Sequence, residues 1–149
     1  TSLRPTPLPT ATEQDLPATV REFAPARLVF LFGCGGDRDR GKRPKMGRIA
    51  GQKADFVIVT SDNPRTEDPE AIIADILPGL KETHTPYVVR PDRREAIAYA
   101  IENHCPGDVI ILCGKGHEDY QIIGKTKVHM DEREIVAEIL DKRKREKEK

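Results

Sequence analysis

Short apolar runs alternate along this chain with longer stretches in which apolar residues return every three or four positions. The runs Leu28-Val29-Phe30-Leu31-Phe32, Phe56-Val57-Ile58-Val59 and Val109-Ile110-Ile111-Leu112-Cys113 contain no polar residue to turn toward water. A strand of that kind is covered on both faces, as in parallel sheets. The pattern predicts strands over residues 27–32, 55–60, 87–89 and 109–113. Between them it predicts a helix with Pro44 in its first turn and an end near Lys53. A second helix opens at Pro69 and carries Ile72, Ile73, Ile76 and Leu77 on one stripe. A third, over 93–103, turns Ala96, Ile97, Ala100 and Ile101 to one side. Asp131 caps a final helix bearing Ile135, Val136, Ile139 and Leu140.

Two further segments, 120–123 and 126–129, flank Gly124-Lys125 and predict a short hairpin or edge pair. The fold class expected is therefore α/β: a Rossmann-like, mostly parallel sheet with helices on both faces and a short antiparallel edge. Residues 1–24 read as a linker or remnant segment, proline-rich at Pro5, Pro7 and Pro9, with a short helix near 13–23. Residues 25–141 form the folded domain. Residues 142–149 read as a charged tail that frays into solvent.

Composition narrows the classes of function. The 149 residues carry 25 basic and 25 acidic side chains and no net charge, which argues against a general polyanion binder. Aromatics make up 5% and tryptophan is absent, so stacking platforms for single-stranded nucleic acid are few. Neither nucleic acid nor membrane is expected as a partner, since no apolar run approaches the roughly 18 residues of a membrane span. Cys34, Cys105 and Cys113 show no metal-binding spacing and fit reduced thiols in a cytoplasmic protein.

The chemistry gathers where the strands end. After the first strand come Gly33-Cys34-Gly35-Gly36-Asp37-Arg38-Asp39-Arg40-Gly41-Lys42-Arg43-Pro44. After the second come Ser61-Asp62-Asn63-Pro64-Arg65, and after the fourth Gly114-Lys115-Gly116-His117-Glu118. Ligands of open α/β sheets bind outside the carboxyl ends of the strands, so three polar exits predict one shared site. The segment 36–42 fits a phosphate-binding loop except that Arg43 stands where a magnesium-ligating hydroxyl is needed, so a true P-loop is rejected. Gly35, Gly36, Lys42 and Lys115 remain candidates for phosphate or nucleotide contacts. Arginines suited to carboxylates and carboxylates suited to ammonium groups together fit a zwitterionic amino acid with charge at both ends. A surface turn rich in glycine and solvated charge is the plainer reading of each loop taken alone.

The three loops, with Thr60-Ser-Asp-Asn-Pro-Arg-Thr-Glu-Asp-Pro69 and Gly114-Lys-Gly-His-Glu-Asp-Tyr-Gln121 read at full length, closely resemble the C-terminal domain of the Mur ligases. Within that family they resemble the MurE-type branch that adds diaminopimelate. The resemblance covers about Arg27 to Leu140. It implies a domain that holds meso-diaminopimelate through Arg38, Asp62, Asn63, Arg65, Gly114 and Glu118, and it implies no catalytic residue and no metal ligand in this chain. The complete enzymes use ATP and Mg2+ to build an acyl phosphate on a UDP-linked muramoyl dipeptide in peptidoglycan synthesis, and the incoming amine attacks it. The ATPase and UDP-binding domains of the family have no counterpart in these residues, nor does its Tyr-Ala-His-Thr-Pro segment. The expectation is an amino-acid-binding domain not catalytic alone, whether fragment, excised domain or freestanding relative. The alternatives are a freestanding amino-acid-binding module, or a Rossmann-like nucleotide binder without ligase activity.

Overall fold

A computed structural model describes residues 26–113, 120–123 and 125–147. The expected linker, the helix near 13–23 and the segment Gly114–Asp119 lie outside the described residues. Strands β1 (Arg27–Phe32), β2 (Phe56–Val59), β3 (Tyr87–Val89) and β4 (Asp108–Leu112) form one sheet in the order β3-β2-β1-β4. Every pairing in it is parallel, with Leu31 opposite Ile58 on one side and Leu112 on the other. Helices α1 (Lys42–Lys53), α2 (Pro69–Lys81), α3 (Arg93–Glu102) and α4 (Glu132–Lys147) cover it.

The alternation of side chains along β1 divides the core in two. Leu28, Phe30 and Phe32 pack with Ala50 of α1 and Ile72, Ile73, Ile76 and Leu80 of α2. Val29 and Leu31 pack on the opposite face with Ala96, Ile97 and Ala100 of α3 and Ile135 of α4. Three helices begin at side-chain caps: Asp68 accepts from Glu70 N at 3.0 Å, Asp92 from Glu95 N at 3.2 Å and Asp131 from Arg133 N at 2.9 Å. Helices α1 and α2 approach closely at Gly79, where a Cβ would stand 1.8 Å from the Pro44 carbonyl oxygen. A side chain there would push the two helices apart.

Three observations differ from the expectations. The antiparallel pair, β5 (Tyr120–Ile123) with β6 (Thr126–His129), exists but forms a separate two-stranded sheet; the described four-stranded sheet has no antiparallel edge. A hairpin pairs its own two strands whether or not the larger sheet accepts them, and the local pattern does not carry that choice. The charged tail also remains helical through Lys147, with Arg143 Nη1 donating to the Ile101 carbonyl at 3.3 Å. Leu140, expected on the buried stripe of this helix, is 51% exposed, while Ile135 is buried. The stripe leaves the sheet as the helix runs past it.

Candidate functional site

The exits of β1 and β2 are joined into one unit. Gly36 N donates to the Asn63 carbonyl at 2.7 Å, and Arg65 Nη1 donates to the Gly36 carbonyl at 2.9 Å. Thr66 Oγ1 donates to Asp37 Oδ1 at 2.6 Å. The backbones lie so close that a Cβ on Gly36 would stand 1.7 Å from the Pro64 carbonyl oxygen. Asp37 and Arg65 both adopt left-handed backbone, with φ of 56° and 53°. Such strain persists only where surrounding bonds over-determine the conformation, and it concentrates at functional sites.

Beside this unit lies an open cavity of about 350 Å³, whose walls include Cys34, Gly35, Arg38, Lys42, Met46 and Asp62. Arg38 and Lys42 are exposed, and neither side chain makes an ion pair among the described residues. The predicted residues Gly35, Arg38, Lys42 and Asp62 are thus brought to one cavity. Asn63 is buried and is not part of its lining. Arg65 is outside its lining; it bonds the glycine loop, with Nη1 also 3.4 Å from the Asn63 carbonyl. Gly114, Lys115 and Glu118 lie outside the described residues. Of the loop amides, Gly36 N is engaged by Asn63, Asp37 N by Glu67 and Gly41 N by Asp39.

Two buried arginines hold these exits in place, and the sequence reading missed both. Arg43 of α1 is 1% exposed. Its guanidinium donates to both oxygens of Glu67, at 2.8 and 2.9 Å, to Asp75 of α2 at 2.8 Å and to the Gly35 carbonyl at 3.1 Å. Asp75 also accepts from Arg40. The hydrogen bonds from Arg43, with a further one from Asp37 N, pull the Glu67 carboxyl down to about 2. Hydrogen bonds from Arg40 and Arg43 lower the Asp75 carboxyl as well.

Arg93, the first residue of α3, is also 1% exposed. It donates to the Ser61 carbonyl at 2.9 Å, to the Cys113 carbonyl at 2.6 Å and to Glu132 of α4 at 3.2 Å. Strands β2 and β4 flank β1, so this one guanidinium ties together the ends of its two neighbours. Gln121 Nε2 adds a bond to the Asp62 carbonyl at 2.7 Å. The third exit therefore leaves Cys113 tied to Ser61, the residue before Asp62.

Comparison with known proteins agrees with this geometry. The family described as "Mur ligase, glutamate ligase domain" matches residues 9–116. The chain belongs to that family. It is 60% identical over 121 residues to the UDP-N-acetylmuramoyl-L-alanyl-D-glutamate–2,6-diaminopimelate ligase of Caldanaerobacter subterraneus subsp. tengcongensis, covering 81% of this chain and 25% of that protein. To the ligase of the same name from Trichormus variabilis it is 54% identical over 132 residues, covering 89% and 26%. A solved structure of a ligase with this name superposes with a TM-score of 0.83 at 42% identity, over 87% of this chain and 27% of that one.

This Mur ligase chain thus spans about a quarter of the length of the curated relatives it matches. Among the described residues no three His, Cys, Asp or Glu side chains stand together as metal ligands. No described helix is long and apolar enough to cross a membrane.

Proposed function

We propose that this chain is the amino-acid-binding domain of a cytoplasmic MurE-type ligase that adds meso-diaminopimelate to UDP-MurNAc-L-Ala-D-Glu in peptidoglycan synthesis. The observation that carries this reading is the joined pair of exits, which sets the cationic Arg38 and Lys42 and the acidic residue Asp62 around one cavity. A zwitterion finds both charge signs there. The relatives that bear this ligase name support the choice of amino acid. Arg65 has one guanidinium nitrogen committed to the loop, and its other edge is the candidate for a bidentate pair with the far carboxylate of diaminopimelate. Asn63, Gly114 and Glu118 complete the proposed amino-acid site.

The domain's contribution is orientation. It holds the amine against an acyl phosphate, and the amine nitrogen displaces inorganic phosphate to form the amide. ATP, Mg2+ and the UDP-linked dipeptide belong to the rest of the ligase, and the 149-residue chain alone is not expected to ligate. The engaged amides of Gly36, Asp37 and Gly41 disfavour the rival nucleotide-binding reading.

Calorimetry on the chain tests this directly. Meso-diaminopimelate is expected to bind more tightly than L-lysine, because a site built around a carboxylate leaves an arginine unmatched when that group is missing. Arg65→Ala should remove most of the difference, and Arg65→Lys should restore only part of it. Equal affinity for the two amino acids, or binding of ATP without diaminopimelate, overturns the reading.

A further inference from the structure

Glu67 does not line the cavity, yet it connects two residues that shape it. One of its oxygens accepts from Asp37 N at 2.7 Å and from Arg43 Nη2 at 2.8 Å; the other accepts from Arg43 Nη1 at 2.9 Å. Arg43 in turn holds the Gly35 carbonyl. The backbone is therefore clamped at Gly35 and at Asp37, immediately before Arg38. Asp37 is the left-handed residue of this loop, a conformation that costs an L residue energy unless its neighbours hold it. Arg38 itself makes no bond among the described residues that would fix its direction. Its aim into the cavity is set by the backbone from which it starts.

We propose that Glu67, acting with Arg43, is a positioning residue that aims Arg38 at the ligand carboxylate by fixing the Asp37 amide. This rests on the amino-acid-binding reading above. Glu67 is also favourable for a clean experiment. When it is replaced, Arg43 keeps Asp75 as a partner, so no buried cation is left without a carboxylate.

The test is a double-mutant cycle on the 149-residue chain, with calorimetric dissociation constants for meso-diaminopimelate and Asp37 amide hydrogen exchange by NMR. Glu67→Ala should weaken binding on the order of tenfold, the size expected for losing a charge-assisted hydrogen bond. Glu67→Gln keeps an oxygen for the Asp37 amide and should recover part of that loss. In an Arg38→Ala background, Glu67→Ala should change affinity by less than about twofold, because residues acting through one another are not additive. A merely structural role would give the same loss in both backgrounds, and that result overturns the proposal. So does an unchanged affinity in the single variant. Should Glu67→Ala fail to fold, the same cycle with Glu67→Gln decides. Should the parent chain bind no diaminopimelate, the functional reading fails separately. The clamp is then judged on exchange alone: the Asp37 amide must exchange faster in the Glu67 variant than in the parent, and equal rates overturn it.

Discussion

Arg43 and Arg93 stand at the same end of the same sheet, each in the first turn of a helix and each 1% exposed, but they are compensated differently. Arg43, on the α1–α2 side, shares two carboxylates, Glu67 and Asp75, whose side chains are 26% and 23% exposed. Arg93, on the α3–α4 side, has one carboxylate, Glu132, with a side chain 10% exposed, and otherwise two backbone carbonyls. The first cluster can be rehydrated when a partner is lost; the second cannot. A helix's positive first turn opposes a cation in either place, so neither arginine is there for helix stability. What they share is the task of tying strand exits together, Arg43 from a water-accessible network and Arg93 from a sealed one.

The sharpest way to break this contrast is to remove each guanidinium while keeping the volume. Arg93→Met should cost about 3–5 kcal/mol, because Glu132 is left as a buried charge with its partner removed. Arg43→Met should cost about 1–3 kcal/mol, since water reaches Glu67 and Asp75 and Arg40 still meets Asp75. Urea unfolding monitored by circular dichroism measures both. Equal losses would show that the two sites do not differ as described.

Acid should sharpen the contrast with a smaller effect. Glu67 has its carboxyl lowered to about 2 in the fold, so its share of stability is present above the ordinary carboxylate value of about 4.3 and is lost as pH falls toward about 2. Asp75 is shifted in the same direction and adds to the loss. The melting temperature of the parent should fall through this window, and the fall should be shallower in Arg43→Met, where neither carboxyl keeps that donor. An identical acid profile in the two proteins would separate the pair from stability.

The smallest effect belongs to Leu140, which shares α4 with Glu132 but is half exposed. Leu140→Ser should stay within about 0.5 kcal/mol of the parent in the same unfolding measurement. A loss of several times that size would mean that the outer part of α4 is anchored through Leu140.

Local sequence signals were enough for the elements and for the chemistry of the exits. Continuous apolar runs identified β1 to β4 within a residue or two, and β1, β3, β5 and β6 match their expected bounds. The start of α2 was legible from Pro69, whose missing N–H is not needed in a first turn; the structure adds Asp68 as its cap. Arg38, Lys42 and Asp62 lie on two strand exits that were expected to share a site, because the end of a strand fixes where its loop begins. These signals are local, set by neighbours within one turn or one strand.

The roles of the two buried arginines come from long-range packing. Arg43 meets Glu67 at a separation of 24 residues and Arg93 meets Glu132 at 39, distances over which composition carries no information. A cation in the first turn of a helix was the one available hint, since the macrodipole makes that position unfavourable without a distant partner. The left-handed backbone at Asp37 and Arg65 was hidden for the same reason: each residue is bonded to the other loop, Asp37 to Thr66 and Arg65 to Gly36. The contact of Arg65 with the glycine loop and the separate placement of the β5–β6 hairpin follow from how the exits pack against one another. A chain segment can specify its own conformation, but the burial of a charge depends on which carboxylate the rest of the fold brings to it.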